Sequence, residues 1–160
     1  MTSDKKSVSL LADIFVKKGL SDIIISPGSR NAPIILAFAN HNAIKALSII
    51  DERSAGFFAL GMSLEKGKAT AIACTSGSAA LNYAPAIAEA FYQKIPLLIF
   101  TADRPPELID VGDGQTIRQK DVFSHYIKTS FELPEEIESP AAFALAGKMI
   151  NRAIDLAHYP

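Results

Sequence analysis

Residues 45–74, KALSIIDERSAGFFALGMSLEKGKATAIAC, contain a strand, a helix and a second strand in immediate succession. The apolar runs 45–50 and 69–74 predict buried strands, and the stretch 53–66, closed by Gly67, predicts a helix. A strand-helix-strand unit of this length brings its two strands together in parallel through a right-handed crossover. The stretch therefore predicts an α/β fold.

The same alternation extends to both sides of this stretch. Apolar runs bounded by glycine, proline or polar residues predict a helix at 8–18, a strand at 22–26, a short helix from about 33, a helix from 76 or 78 to 92, a strand at 96–101, a fifth strand at 126–133 and a last helix at 140–157. We expect a single domain over residues 1–160, with a three-layer α/β/α architecture and a mainly parallel sheet. The alternation calls for one more strand after the last helix, so we expect the fold to lack its last strand within this chain.

The composition indicates a globular protein and argues against several classes of partner. With 49% hydrophobic and 21% charged residues, the 160-residue chain can form a full core. Sixteen basic and seventeen acidic residues, without a basic stripe interleaved with aromatics, argue against nucleic acid as a partner. The first residues are polar and charged, unlike a signal peptide or a membrane span, and Cys74 has no second cysteine with which to form a disulfide. We therefore expect a cytoplasmic protein.

Polar and charged residues follow each of the first four predicted strands. In a parallel sheet these loops share one edge, which is where α/β proteins bind their ligands. The four segments are Ser26-Pro27-Gly28-Ser29-Arg30, Asp51-Glu52-Arg53, Thr75-Ser76-Gly77-Ser78 and Thr101-Ala102-Asp103-Arg104-Pro105. The sequence therefore predicts a ligand site that combines hydroxyls, glycines, two arginines and a carboxylate. Glu52, which we expect to be half-buried, has the best position among its titratable groups.

Each of these loops also has a simpler structural interpretation. Residues 27–30 can form a plain turn, although Arg30 at a helix N-terminus, where a cation is disfavoured, favours an anionic ligand. Residues 75–80 can cap a helix, since they lack the lysine and the spacing of a P-loop. Residues 103–106 can form a salt bridge within a loop as readily as they can present a substrate-binding arginine.

Two further patterns are interpreted as structural. Gly112-Asp113-Gly114 does not follow a buried strand, so it is predicted to be a turn, and Gln115 is the better candidate to reach a ligand. The three histidines share no metal-ligand spacing, and we expect neither a zinc site nor a Ser-His-Asp triad.

The order of the motifs resembles that of a known enzyme family. The stretches that carry the resemblance are SPGSRNAP at 26–33, DERSAGFFALG at 51–61, TSGSA at 75–79, TADRPPEL at 101–108 and QTI at 115–117. Together they are similar to the N-terminal domain of the SEPHCHC synthases (2-succinyl-5-enolpyruvyl-6-hydroxy-3-cyclohexene-1-carboxylate synthases), which are thiamine-diphosphate enzymes of menaquinone biosynthesis. SPGSR together with DRPPEL separates this family from other thiamine enzymes, and the match runs through most of the chain.

The resemblance implies a fold, a reaction and a set of partners. The fold is the aminopyrimidine-binding (PYR) domain, which holds one end of thiamine diphosphate. The reaction decarboxylates 2-oxoglutarate on that cofactor and joins the product to isochorismate, giving SEPHCHC and CO2. Full-length members carry a central domain and a diphosphate-binding domain, which supply the Mg2+ or Mn2+ ligands and complete the site as a homodimer or homotetramer. We therefore expect this chain alone to be inactive, without metal ligands of its own, although its apolar Phe57-Phe58 helix can support dimerisation.

The resemblance also implies roles for particular residues. Glu52 matches the catalytic glutamate, which hydrogen-bonds to the aminopyrimidine ring and favours its imino tautomer. The family positions that contact the carboxylate-bearing substrates are matched by Ser29, Arg30, Arg104 and Gln115. A loop that lines the cofactor is matched by Thr75, Ser76 and Gly77.

Two departures from the family pattern bear on the site. Ser78 replaces a commoner threonine, and Asp113-Gly114 places a charge close to Gln115, where many members have a small neutral stretch. Two alternatives stay open. The chain can be the PYR domain of another thiamine enzyme that uses 2-oxoacids, although its two arginines argue against this, or a non-catalytic α/β module that binds a carboxylate through Arg30 and Arg104.

Overall fold

The computed structural model describes residues 5–158, which form a parallel four-stranded sheet with helices on both faces. The strands are β1 (Asp22–Ile25), β2 (Lys45–Ser48), β3 (Thr70–Cys74) and β4 (Leu97–Thr101), in the spatial order β2-β1-β3-β4. The helices are α1 (Lys6–Lys17), α2 (Ala32–Ala39), α3 (Glu52–Lys66), α4 (Ser78–Leu81), α5 (Ala84–Gln93) and α6 (Pro140–His158), with short 3-10 turns at Pro106–Leu108 and Ser124–Tyr126. The predicted three-layer α/β/α architecture is confirmed.

The two faces of the sheet each pack against their own helices. Alternate residues of β1 divide between the faces, so Ile23 and Ile25 join the core under α1, α2 and α6, whereas Ile24 joins the core under α3 and α5. On the first face the rings of Phe15 and Phe38 meet edge to face at 5.4 Å. All residues of β1 and β3 are buried, which accounts for their unbroken apolar runs.

Helix α3 ends at the glycine expected from its sequence, and an aspartate cap fixes its start. Asp51 caps it, with its carboxylate accepting a hydrogen bond from the Ser54 N–H at 2.7 Å, and Gly67 ends it in the left-handed conformation at φ +61°. The helix begins at Glu52, one residue before the predicted start. The cap therefore places Glu52 in the first turn, at the carboxyl end of the sheet.

The predicted helix from 76 or 78 to 92 is wrong in its continuity. The structure has two helices, α4 and α5, interrupted at Asn82 and Tyr83. Pro85 lies in the first turn of α5, and it lacks the N–H with which a continuous helix would bond the carbonyl of Leu81. The cap that residues 75–80 were expected to supply is also absent as a side-chain bond, because Gly77, and not Ser76 or Ser78, occupies the cap position of α4 and no side chain caps it.

The predicted fifth strand at 126–133 is also wrong. Within the described residues this segment contains the end of a 3-10 turn and then irregular backbone. Ile127 packs against the core under α3 and α5, whereas Leu133 packs against the core on the opposite face. The segment passes from one face to the other, so its alternating apolar residues serve two cores and not one strand face.

None of the helices within residues 5–158 is both long and apolar enough to span a membrane.

Candidate functional site at the carboxyl edge of the sheet

All four strands are parallel, so the four predicted loops lie along one edge as expected. The loops after β1 and β3 are in direct contact. A Cβ atom at Gly28 would lie 2.5 Å from Cβ of Thr75, which leaves no room for a side chain at position 28. Because β1 and β3 are neighbours in the sheet, this contact brings Ser29 and Arg30 next to the loop of Thr75 to Gly77.

The loop after β1 is closed by Asn31. This fully buried amide accepts a hydrogen bond from the Gly28 N–H at 2.8 Å and donates one to the Ser26 carbonyl at 3.0 Å. Asn31 occupies the cap position of α2, but its side chain makes no cap bond to that helix and folds the loop instead. Ser29 and Arg30, predicted to bind substrate, are exposed, and within residues 5–158 their side chains have no hydrogen-bond or ion-pair partner.

A buried hydroxyl chain connects this loop to the end of β2. Ser26 donates to the Ile49 carbonyl at 2.9 Å, and the Tyr83 hydroxyl donates to Ser26 at 3.3 Å. Both side chains are fully buried. The chain fixes the strand end from which the backbone enters Asp51 and Glu52.

Glu52 is half-buried, as expected. In the described part of the chain its carboxylate has neither a hydrogen bond nor an ion pair. The charge of Glu52 acts on a buried group at the end of β3. The pKa of the Cys74 thiol is raised to about 12, mainly by burial and to a smaller extent by the negative charge of Glu52. Burial, with Cys74 and Glu52 nearby, also raises the pKa of Tyr83. Glu52 thus lies beside β3 with its oxygens unpaired by protein.

Residues 75–77 form the loop after β3. Gly77 has φ +85° and ψ −142°, a conformation open to glycine alone, and a side chain there would overlap the Gln115 carbonyl. The hydroxyl of Ser76 is buried and lacks a partner in the described structure, while Thr75 is half-buried. A buried hydroxyl without a partner is uncommon in a folded protein, so Ser76 is suited to receive a ligand atom.

The segment 113–119 lies against the loops after β3 and β4. The Gln115 carbonyl accepts a hydrogen bond from the Ser78 N–H at 3.0 Å, although the Gln115 side chain is exposed. Gln119 is buried, and its amide joins the two loops. Sequence reasoning missed Gln119 because a single buried amide in irregular backbone leaves no periodic pattern.

Arg104 is held by the same segment. Its guanidinium donates to the Gly114 carbonyl at 2.8 Å and to the Thr116 hydroxyl at 3.1 Å, and it lies 3.3 Å from the carboxylate of Asp113. The expected extra charge at Asp113 is therefore neutralised by Arg104 and not left beside Gln115. The salt bridge weighed for residues 103–106 does not form in the described structure: Arg104 pairs with Asp113, whereas the carboxylate of Asp103 accepts a hydrogen bond from the Arg104 N–H at 2.7 Å. Gly112 and Gly114 both lie in turns, as predicted.

Among residues 5–158, no three His, Cys, Asp or Glu side chains lie close enough together to hold a metal ion. Within the described structure, Ser29, Arg30 and Glu52 are thus free on the β1–β2 side of the edge. On the β3–β4 side of the described chain, Arg104 and Gln119 are bonded, whereas Ser76 and Gln115 keep side-chain polar atoms without a partner.

Comparison with known proteins identifies the family of the domain. Residues 5–134 match the family model described as "Thiamine pyrophosphate enzyme, N-terminal TPP binding domain". The chain is 49% identical over 158 residues to the 2-succinyl-5-enolpyruvyl-6-hydroxy-3-cyclohexene-1-carboxylate synthase of Porphyromonas gingivalis, with 99% of this chain and 27% of that protein covered. It is 47% identical over 156 residues to the synthase of the same name from Desulfotalea psychrophila, covering 98% of this chain and 29% of that protein. For the Christiangramia forsetii synthase the identity is 57% over 122 residues, or 76% of this chain and 21% of that protein. The chain thus spans less than a third of the length of these relatives.

Proposed function

The chain belongs to the family of N-terminal TPP-binding domains of thiamine pyrophosphate enzymes, and from this premise we propose that it is the PYR domain of a SEPHCHC synthase. The whole enzyme would use thiamine diphosphate to decarboxylate 2-oxoglutarate and join the product to isochorismate, giving SEPHCHC and CO2. The names of the relatives and their identity over nearly the whole chain support this function.

The observation that carries the proposal is the free carboxylate of Glu52. It is half-buried at the start of α3, and no protein group in the described part of the chain occupies its oxygens. The unpartnered, buried hydroxyl of Ser76 lies two residues after Cys74, the thiol whose pKa the charge of Glu52 helps to raise. A polar heterocycle at this edge would satisfy both groups, so the residues present fit the aminopyrimidine end of thiamine diphosphate.

Glu52 would act as the catalytic acid-base group. Its carboxyl would share a proton with a ring nitrogen of the aminopyrimidine, while Thr75, Ser76 and Gly77 line the ring. When bound, thiamine diphosphate supplies the carbon nucleophile and the electron sink that decarboxylation of a 2-oxoacid requires. Cys74 is not a competing nucleophile, because burial raises its pKa to about 12.

The substrates would be held by Ser29, Arg30, Arg104 and Gln115. Both substrates carry carboxylates, and a guanidinium offers paired N–H donors to such groups. Arg30 is exposed and has its donors free, whereas Arg104 already bonds to the segment 113–116 and has fewer donors to offer.

The rest of the site would come from other parts of the enzyme. We place the diphosphate group and its Mg2+ or Mn2+ in a further domain of a partner subunit, in a homodimer or homotetramer. Phe57 and Phe58 on α3 support such an association, because their side chains are 44% and 48% exposed. On this proposal the 160-residue chain alone is inactive, and the enzyme works in the cytoplasm.

The decisive experiment uses the full-length protein. Purified enzyme with thiamine diphosphate and Mg2+ or Mn2+ is assayed for consumption of 2-oxoglutarate with and without isochorismate, and the product is identified by mass spectrometry. Consumption that depends on isochorismate, with SEPHCHC as the product, is expected. Parallel assays with pyruvate test the other thiamine enzymes, and turnover of pyruvate without isochorismate would overturn the proposal.

A further inference from the structure

Two proposed substrate-binding residues depend on irregular backbone. Arg104 follows β4, and Gln115 lies in the segment 113–119, where it has the positive φ of +64°. Neither residue belongs to a helix or a strand. Their positions must therefore be set by contacts between side chains and loops.

The amide of Gln119 supplies three of these contacts. Its oxygen accepts a hydrogen bond from the Gly77 N–H at 2.7 Å. Its nitrogen donates to the Ala102 carbonyl at 2.6 Å and to the Thr101 hydroxyl at 3.1 Å. Both polar ends of this buried side chain are thus used, one on the loop after β3 and the other on the loop after β4.

The partners of Gln119 adjoin the residues in question. Ala102 is two residues before Arg104 in the chain. Gly77 packs so closely against the Gln115 carbonyl that a Cβ atom would not fit between them. The neighbouring Ser78 N–H bonds to that same carbonyl at 3.0 Å. A shift of Gln119 would therefore move both the Arg104 loop and the backbone of Gln115.

We propose that Gln119 is a positioning residue, which holds Arg104 and Gln115 in their substrate-binding arrangement by joining the loops after β3 and β4. This inference rests on the proposed function. Gln119 itself need not touch substrate, because both ends of its amide are taken up by protein. Glu52 lies in the first turn of α3, to which Gln119 makes no bond in the described structure.

The test compares two variants of the full-length enzyme with a matched control. Gln119→Glu keeps the shape but places an oxygen against the Ala102 carbonyl, and Gln119→Met removes both polar ends. Gln93→Glu makes the same chemical change at an exposed glutamine that ends α5. We expect the KM for 2-oxoglutarate or isochorismate to rise about tenfold or more in both Gln119 variants. The Kd of thiamine diphosphate, measured by calorimetry, should rise by a smaller factor than the KM, because Gln119 makes one bond to the cofactor-lining loop and two bonds to the end of β4 and the loop that carries Arg104. Gln93→Glu should resemble the wild type.

Hydrogen-deuterium exchange gives a readout independent of turnover. In the Gln119 variants, exchange should become faster in residues 101–119, while residues 26–34 keep the wild-type rate. Unchanged exchange and unchanged KM would overturn the inference while leaving the function intact, and so would equal rises in KM and in cofactor Kd, which indicate general collapse of the edge. Wild-type protein without isochorismate-dependent activity would overturn the proposed function, and exchange would then still decide whether Gln119 joins the two loops.

Discussion

The two halves of the carboxyl edge use their polar side chains differently. On the β1–β2 side, Asn31 and the Ser26–Tyr83 pair fix the backbone, and the side chains of Ser29, Arg30 and Glu52 remain free within the described structure. On the β3–β4 side, the side chains of Arg104 and Gln119 donate hydrogen bonds to neighbouring loops. On the β1–β2 side, the residues that fix the backbone differ from those whose side chains stay free. On the β3–β4 side, Arg104 and Gln119 fix the backbone with their own side chains. Substitutions of Ser29, Arg30 or Glu52 should therefore affect function alone, whereas substitutions of Arg104 or Gln119 should affect function together with stability.

The largest effect is expected at Glu52. Glu52→Gln in the full-length enzyme keeps the size of the side chain but removes a group that can share a proton, so kcat should fall by about 100-fold or more. Steady-state consumption of 2-oxoglutarate with isochorismate measures this loss. Glu65→Gln, an exposed change on the same helix, serves as the control. A near-normal kcat in Glu52→Gln would show that Glu52 takes no part in the reaction. The β1–β2 side would then no longer be the side that supplies the catalytic group.

An intermediate effect should separate the two arginines. Arg30→Met is expected to raise the KM of a carboxylate substrate about tenfold or more without changing the urea midpoint, since Arg30 has no partner in the described structure. Arg104→Met should raise KM and also lower the free energy of unfolding by about 1 kcal/mol, because Asp113 and Gly114 lose their donor. Arg152→Met, an exposed change on α6, controls for loss of charge. Equal stability of the Arg30 and Arg104 variants would contradict the comparison.

The smallest effect is expected at Asp51, which caps α3 and has no proposed part in the reaction. Hydrogen bonds from the Ser54 N–H and hydroxyl, helped by Arg53, hold the pKa of Asp51 below its ordinary value of 3.8. Because the folded-state pKa is the lower one, the stabilisation is complete above the unfolded-state pKa and is lost as the pH falls through the folded-state pKa. Urea midpoints of wild type and Asp51→Ala should therefore differ at pH 7 and converge in acid. A difference that persists at the lowest pH would show that the charge of Asp51 does not matter.

The sequence predicted what depends on periodicity and on strand ends. The four strands, the glycine that ends α3 and the meeting of four polar loops follow from apolar runs, from glycine as a helix stop and from the geometry of parallel sheets. The half-buried position of Glu52 follows from the same pattern.

Apart from the helix that Pro85 interrupts, the failures arose where an interaction crosses between segments. The apolar residues at 126–133 look like a strand face, yet Ile127 and Leu133 belong to different cores. Gln119, Asn31 and the bond between Tyr83 and Ser26 join residues remote in sequence or in irregular backbone, where no repeat marks them. These bonds determine the shape of the edge, and three-dimensional contacts were needed to find them.

The adjacent acids at the start of α3 carry one further consequence. Asp51 uses its short side chain on the helix backbone, while Glu52, one methylene longer, keeps its oxygens free. Exchanging these two neighbouring letters would preserve amino-acid content, formal charge and hydropathy, yet it would put the longer acid at the cap and the shorter one at the active position. The function of this segment therefore depends on the order of its residues and not on their composition. A comparison of proteins by amino-acid composition alone would not detect the exchange.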